Sequence, residues 1–217
     1  MTDGQTVGPR AGLRERKKQR TRDALLRAAL ELFTTQGYER TTVDEIVDAV
    51  EVSQRTFFRY FASKEETAFA VQEMVESRFI EELRRRPAEE APFEAMRRAV
   101  LCAWNSIDEA IEEVVTVDLH MRTFQMIEST PFLLAAHMRR GVALENQIAE
   151  LIAEREGLDV ERDPRPRVAV AAFSAVMRVT GQLWGRGLDP SVEALRSLTE
   201  EYLDQLGPAL ARNWRQQ

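Results

Sequence analysis

Residues 41–64 read TTVDEIVDAVEVSQRTFFRYFASK, and this stretch predicts two short helices joined by a tight turn. Thr42, followed three residues later by Glu45, is a capping-box pattern that satisfies free amides at the start of the first helix. The pattern breaks at residues 51–52, and Ser53 can cap a second helix. A short helix, a turn and a second helix therefore form a compact pair.

The second helix of the pair has an apolar side and a polar side. Phe57 and Phe61 lie four residues apart and so share one face, which we expect to pack inward. Gln54 and Arg55 lie elsewhere on the helical wheel, at the start of the helix. Such a helix can enter the major groove of duplex DNA, which is about 12 Å wide.

The residues before this pair predict another helix. Residues 21–36 place Leu25, Ala29 and Phe33 on one face, and Gly37 follows as a stop signal. The first 12 residues are polar and lack the apolar core of a secretory signal, so we interpret them as a flexible arm.

The remainder of the chain is helical in pattern. Ser63 with Glu66 forms a second capping box that opens a long helix to about residue 86. Val114, Val115 and Val117 have strand propensity, but no partner run accompanies them and we assign them to helix. The sequence thus predicts an all-α fold of about nine helices: a three-helix N-terminal domain joined by a long helix to a C-terminal helical bundle. The five later helices are predicted at about 93–107, 109–127, 131–156, 165–185 and 191–206.

Charge is distributed unevenly along the chain. The net charge is −6, but residues 10–64 hold 12 Lys and Arg against 8 Asp and Glu. Within residues 10–22, seven cations accompany a single Glu. A basic N-terminal module on an acidic body is typical of a protein that contacts phosphate at one end. No apolar run approaches the roughly 20 residues needed to span a bilayer, so we expect a cytoplasmic protein without a membrane partner.

Residues 41–64 closely resemble the helix-turn-helix of the TetR family, and residues 25–43 (LLRAALELFTTQGYERTTV) resemble its first helix and exit. The resemblance covers about the first 65 residues. It implies a ligand-responsive transcriptional regulator, most simply a repressor, that binds a palindromic operator as a homodimer and leaves it when a small-molecule effector binds. The implied division is a flexible arm at 1–12, a DNA-binding domain at 13–64, and a ligand-binding and dimerisation domain at 65–217.

Base-reading candidates stand at the exposed start of the second helix of the pair. Arg55 can make two hydrogen bonds to guanine, and Gln54 can make two to adenine. Arg59 suits either phosphate or an acid on the first helix. The predicted DNA-binding residues are Lys17, Lys18, Arg20, Thr42, Ser53, Gln54, Arg55, Thr56, Phe58, Tyr60 and Lys64.

Two positions depart from the family pattern. Phe58 stands where the family usually has a Tyr whose hydroxyl reaches phosphate, so only an apolar contact with sugar or a thymine methyl remains. Glu51 stands where a turn Gly is common, which suggests a turn that needs no positive φ and places an anion near the duplex.

The resemblance also implies a ligand pocket and a dimer face in the C-terminal half. Neither His has a partner at i+3 or i+4, so we expect no metal and no cofactor. Apolar and aromatic residues of the middle helices can equally be ordinary core. The candidate pocket residues are Trp104, His120, Phe124, His137, Met177 and Trp184, and the candidate dimer residues are Val168, Ala172, Val176, Val179, Leu195, Leu198 and Tyr202.

Two other functions remain open from the sequence. An enzyme would need a catalytic constellation, but the chain has no G-x-S-x-G, G-x-x-x-x-G-K, C-x-x-C or H-E-x-x-H motif, so we expect no enzyme. A ligand-independent DNA-binding protein is the second alternative, and it predicts binding that no metabolite relieves. The single cysteine, Cys102, is interpreted as a small buried hydrophobe.

Overall fold

The all-α prediction is confirmed by a computed structural model, which describes residues 9–189 and 191–211. Over these residues the chain forms helices and connecting segments without a strand. The helices of the described ranges are α1 (Pro9–Gln36), α2 (Val43–Ala49), α3 (Gln54–Tyr60), α4 (Lys64–Arg85), α5 (Pro92–Val114), α6 (Val117–Ser129), α7 (Pro131–Glu156), α8 (Arg165–Arg186) and α9 (Val192–Ala211).

Helix α1 is longer than the sequence predicts. The predicted start is residue 21, but the helix begins at Pro9. Proline is favoured at the first helical position, and the Leu, Arg, Lys and Gln residues that follow have high helix propensity. Residues 9–12, predicted to be part of a flexible arm, are therefore helical, while residues 1–8 lie outside the described residues. Gly37 ends the helix as predicted, with a φ of 95°.

The described residues up to Ala70 form one compact unit, and those from Val71 onward form a second, so the division falls within α4. In the first unit, the facing sides of α1, α2 and α3 supply the core. The prediction that Phe57 and Phe61 point inward is confirmed, since they are 0% and 1% exposed. The other buried apolar residues of these helices are Leu25, Leu26, Ala29, Leu30, Phe33, Ile46 and Val47.

Helix α8 is central to the second unit, because it contacts α5, α6, α7 and α9. The ring of Phe173 on α8 stacks on Phe79 of α4, with centroids 5.7 Å apart. Thr199 on α9 and Thr180 on α8 are fully buried and share a hydrogen bond of 3.1 Å between their hydroxyls. Both are thereby satisfied in an otherwise apolar contact.

Two boundaries and one burial prediction in this unit are wrong. The break predicted at residue 108 is absent, and α5 continues to Val114, because no Gly or Pro interrupts the chain there. The break instead precedes Thr116, whose side chain caps α6 by accepting from the Leu119 amide at 3.3 Å. Cys102 is exposed, because it lies on the outer side of α5 while its neighbour Ala103 is fully buried.

Arg155 of α7 holds the segment that follows α4. Its guanidinium donates to the carbonyl oxygens of Arg86 at 3.0 Å and Glu90 at 2.8 Å, and also to that of Pro87. Carbonyls at the end of a helix lack partners within the helix, and here one side chain donates to three carbonyls of the segment that follows. The C-terminal end of α4 is thereby fixed to α7.

Candidate functional site

Helices α2 and α3 form the helix-turn-helix pair, which is called the reading pair below. Its first helix, α2, begins as predicted at a capping box. The Thr42 hydroxyl accepts from the Glu45 amide at 3.3 Å, while the Glu45 carboxylate accepts from the Thr42 amide at 2.7 Å and hydroxyl at 3.0 Å. These hydrogen bonds, the Thr42 amide first, lower the pKa of Glu45. The hydroxyl predicted to contact phosphate is therefore already engaged, and a carboxylate lies beside it.

The turn between α2 and α3 corrects one prediction. Glu51 has a φ of 55°, so the turn does need a positive φ and a non-glycine residue adopts it. The turn closes through the Val52 amide, which donates to the Val47 carbonyl at 3.0 Å. Left-handed backbone at a residue with a Cβ costs about 1–2 kcal/mol.

Helix α3 is capped by Ser53, as predicted, and the cap engages two predicted DNA-binding hydroxyls. The Ser53 hydroxyl accepts from the Thr56 amide at 3.2 Å and lies 3.0 Å from the Thr56 hydroxyl. Ser53 is exposed and Thr56 half-buried. This pair thus stabilises the start of α3. The side chains of Gln54 and Arg55, the first two residues of α3, remain exposed to solvent.

The outer face of α3 combines polar and aromatic groups. Arg55 is exposed and has no hydrogen-bond or ion-pair partner among the described residues, so its guanidinium is available to a ligand. Phe58 is 52% exposed, with its ring edge-on to buried Phe57 at 5.3 Å. The exposed Phe is consistent with the apolar contact that the sequence predicts for it.

Gln54 has a partner that the sequence did not indicate. Its amide nitrogen donates to a carboxylate oxygen of Asp44 on α2, and both residues are exposed. The two are ten residues apart and belong to different helices, so no spacing rule within one helix connects them. Asp44 is thus a member of the candidate site that sequence reasoning missed.

Among the described residues, Arg59 contacts its neighbour Tyr60 and not an acid on α1, which is one of the two partners predicted for it. Its guanidinium donates to the Tyr60 hydroxyl at 3.1 Å and lies over the Tyr60 ring at 4.8 Å from the centroid. Among the described residues it has no acidic partner on α1. Tyr60 itself is half-buried, and its hydroxyl accepts this bond at the end of α3.

Lys64, predicted to hold phosphate, is directed into its own unit. Its ammonium donates to the carbonyls of Tyr38 at 2.7 Å and Thr41 at 2.8 Å, and lies 4.2 Å from the Tyr38 ring centroid. Burial lowers the pKa of Lys64, and burial also raises the pKa of Tyr38 to about 12. Two of the three ammonium hydrogens are thus used to hold the segment between α1 and α2.

The start of α4 forms only half of the predicted capping box. The Glu66 amide donates to the Ser63 hydroxyl at 3.0 Å, but the Glu66 carboxylate accepts from the amide of Ala62 instead of Ser63.

The basic segment of α1 lies at the surface, with Lys17, Lys18 and Arg20 all exposed. Lys18 pairs with Glu15 one turn earlier at 3.4 Å, a contact that solvent weakens.

In the second unit, four of the six predicted pocket residues form one cluster. The ring centroids of His120 and Trp184 are 5.5 Å apart, those of Phe124 and Trp184 5.8 Å, and those of Phe124 and His137 6.4 Å. Burial lowers the pKa of His120 to about 4 and also lowers that of His137. Both rings are therefore neutral at pH 7.

The cluster has one unsatisfied polar atom. His120 Nδ1 is buried and has no hydrogen-bond partner among the described residues. The Trp184 indole nitrogen, by contrast, donates to the Ser191 carbonyl at 3.1 Å. Buried polar atoms are normally paired, so the His120 nitrogen suits a hydrogen-bond partner supplied from outside the protein. The other two predicted pocket residues are Trp104, which is buried, and Met177, which is half-buried.

A groove of about 220 Å³ lies beside the cluster, between α6 and the end of α8. The Phe124 ring reaches into contact with the α8 backbone here, because a Cβ at Gly185 would lie 2.8 Å from that ring. Gln125 donates to the Gly185 carbonyl at 2.7 Å, which holds the two helices together. The groove is lined by Phe124, Gln125, Glu128, Ser129, Gln182, Gly185 and Arg186.

The predicted dimer residues lie on α8 and α9, which pack against each other. Val168 is 65% exposed and Val176 is buried. The remaining predicted residues are half-buried: Ala172, Val179, Leu195, Leu198 and Tyr202. An apolar stripe on these two helices therefore remains partly open to solvent in the single chain.

Over the described ranges, no group of three His, Cys, Asp or Glu residues is arranged to hold a metal ion. Nor does any helix in the described part of the chain combine the length and apolar character needed to cross a membrane. The chemistry that these residues offer is hydrogen bonding, apolar contact and charge.

Two family models match the chain. Residues 25–71 match the model described as bacterial regulatory proteins, tetR family, and residues 90–211 match the model described as the MftR C-terminal domain. The first match contains α2 and α3 complete, and the second contains the aromatic cluster and the apolar stripe.

Relatives match along nearly the whole chain. The HTH-type transcriptional regulator TcmR of Streptomyces glaucescens is 47% identical over 204 residues, which is 94% of this chain and 90% of that protein. The putative mycofactocin biosynthesis transcriptional regulator MftR of Mycobacterium tuberculosis is 28% identical, over 91% of this chain and 94% of that protein. Among solved structures, the SmeT–triclosan complex shares the fold with a TM-score of 0.59 at 19% identity, covering 87% of this chain and 90% of that one.

Proposed function

Because the chain belongs to the TetR family of bacterial regulatory proteins, we propose that it is a repressor whose homodimer binds a palindromic operator and leaves it when a small molecule binds the C-terminal unit. One observation supports the DNA-binding part of this proposal. Helix α3 exposes Gln54 and Arg55 while Phe57 and Phe61 anchor it in the core. We assign DNA binding to residues 13–64, and effector binding and dimerisation to residues 65–217.

Within the DNA-binding part, contacts divide into base reading and phosphate contact. Arg55 has its guanidinium unengaged and matches the two acceptors of guanine in the major groove. Lys17, Lys18 and Arg20 lie in the exposed basic segment of α1 and suit phosphate, which sets register without reading sequence. Lys64 is better suited to a structural role than to phosphate, since its ammonium already holds two carbonyls.

The half-exposed apolar stripe on α8 and α9 supports the homodimer. Val168, Leu195 and Leu198 would lose water on pairing with the same surface of a second copy, at about 25 cal/mol per Å² of apolar area buried. A two-fold dimer presents two copies of α3, and these match a palindrome whose half-sites lie about 34 Å apart.

The aromatic cluster supports the effector site. His120, Phe124, His137 and Trp184 offer ring surfaces, and the unpaired His120 nitrogen offers a polar atom that can form a hydrogen bond. An effector that prefers the conformation unable to bind DNA shifts the population away from the operator. A coupling of only about 1–3 kcal/mol changes the affinity for the operator by roughly 5- to 150-fold.

Selection from random duplex DNA tests the DNA-binding half. We expect the full-length chain to enrich a palindrome. Arg55→Ala should lose about 1–3 kcal/mol of discrimination at one base pair per half-site. Lys17→Ala should instead weaken binding to all sequences alike, and it should reduce by about one the magnitude of the slope of log K against log salt concentration. No enriched sequence, or equal effects of both variants on discrimination, would contradict the assignment.

The effector half has its own test. Small molecules that release the enriched DNA from the wild-type chain should fail to release it from Phe124→Ala, while that variant binds the DNA with unchanged affinity. Release that is equally effective with Phe124→Ala would place the effector elsewhere. Binding that no molecule of a broad metabolite collection relieves would favour a ligand-independent DNA-binding protein.

A further inference from the structure

The contact between Gln54 and Asp44 fixes which way the Gln54 amide faces. A Gln amide has one oxygen that accepts and one NH₂ that donates, and an ionised carboxylate only accepts. The NH₂ group must therefore face Asp44, as it does in the structure. The Gln54 oxygen is left pointing away from Asp44.

Asp44 is itself held in place. It is the second residue of α2, directly after Thr42 and Val43, and the capping box of Thr42 and Glu45 fixes that turn. Gln54 is the first residue of α3, whose start is fixed by the Ser53 cap. The contact thus connects the first turns of two helices, and it is formed before any DNA is present.

We propose that Asp44 is a specificity-determining positioning residue that holds the Gln54 amide in one orientation, so that Gln54 accepts from a base amino group. This rests on the proposed DNA-reading role of α3. A free Gln amide can rotate by half a turn and donate to the acceptors of guanine or thymine. The amide held by Asp44 presents its oxygen, which accepts from the amino group of adenine or cytosine in the major groove.

The charge of Asp44 gives the proposal a distinctive signature. An exposed carboxylate on the reading pair repels the phosphates of DNA, so its removal should strengthen binding to every sequence. Loss of orientation should at the same time weaken the choice of base. Total affinity and base discrimination are therefore expected to change in opposite directions when Asp44 is replaced by Ala.

The experiment uses the full-length chain and the DNA that the wild type enriches. The base pair read by Gln54 is the one at which Gln54→Ala removes the preference. At that pair, all four bases are compared for the wild type, Asp44→Ala and Asp44→Asn. Asp48→Ala is the matched control, because Asp48 is an exposed acid of the same helix whose side chain has no partner among the described residues.

We expect Asp44→Ala to bind all sequences more tightly and to lose discrimination by on the order of tenfold at this pair. Asp44→Asn should also bind more tightly and lose the preference, because an Asn amide can donate as well as accept and so no longer fixes the orientation of the Gln54 amide. Asp48→Ala should keep the preference. In a Gln54→Ala background, Asp44→Ala should change discrimination no further.

Unchanged discrimination in Asp44→Ala or in Asp44→Asn would overturn the assignment, as would an equal loss in Asp48→Ala. A wild-type chain that enriches no sequence would refute the DNA-reading proposal itself, so the two failures are distinguishable. Circular dichroism of each variant confirms that the exposed substitutions leave the helices intact.

Discussion

Replacing Glu51 by glycine should stabilise the protein. Glu51 holds a φ of 55° in the turn between α2 and α3, a conformation in which its Cβ crowds the following carbonyl. The crowding costs about 1–2 kcal/mol. Glycine avoids it but gains about 0.5–1 kcal/mol more freedom in the unfolded chain. The expected net increase in the free energy of unfolding therefore lies between about 0 and 1.5 kcal/mol, with a midpoint of about 0.75 kcal/mol.

Glu51→Ala separates the backbone from the charge. Alanine removes the carboxylate but keeps the Cβ, so the backbone cost remains. In thermal unfolding followed by circular dichroism, Glu51→Gly should raise Tm by about 1–4 °C for a chain of this length, and Glu51→Ala should leave it nearly unchanged. Both variants should bind DNA more tightly at low salt, because each removes an anion.

Two results would refute this reasoning. A Tm for Glu51→Ala that rises as much as that of Glu51→Gly would show that the carboxylate, not the backbone, is the source of the cost. A Tm for Glu51→Gly at or below the wild-type value would show that the turn stores no strain at this residue. Protection of the Val52 amide, which closes the turn, provides a local readout of the same comparison.

Two further predictions concern the second unit. The buried His120 has a pKa of about 4 against an ordinary 6.5, so the unfolded chain takes up the proton first and the free energy of unfolding should fall by roughly 3 kcal/mol between pH 6.5 and 4. His120→Phe should flatten this part of the pH profile measured by urea denaturation, and an unchanged slope would contradict the assignment. Gly185→Ala should destabilise by about 1–3 kcal/mol, because its Cβ would lie 2.8 Å from the Phe124 ring. The control Gly141→Ala, with nothing within 4 Å of its Cβ, should stabilise by about 0.5–1 kcal/mol; equal effects of the two alanines would argue against the close approach.

The local features of the reading pair were predictable from sequence. The Thr42–Glu45 capping box, the Ser53 cap and the burial of Phe57 and Phe61 all depend on residues within four positions of one another. Such contacts are fixed by helix periodicity and by cap chemistry, which act before any tertiary packing.

Contacts between elements were not predictable in the same way. Lys64 reaches carbonyls 23 and 26 residues away, and this distance in sequence hid the fact that its ammonium is engaged. The Asp44–Gln54 contact depends on the angle between α2 and α3, which no spacing encodes. The extent of α1 was missed for a different reason, since a charged run without apolar periodicity gives no packing signal even where its helix propensity is high.

The continuous helix from Pro9 gives the cations Arg14, Arg16, Lys17, Lys18 and Arg20 fixed spacing before any partner arrives. An unstructured arm would have to become ordered on DNA, at about 1–2 kcal/mol of backbone entropy for each residue immobilised. Side chains on a helix that is already formed avoid that loss of entropy. A helix is too wide to enter a narrow minor groove as an extended arm does. We therefore expect these cations to contact the sugar-phosphate backbone and not the minor-groove edges of the bases.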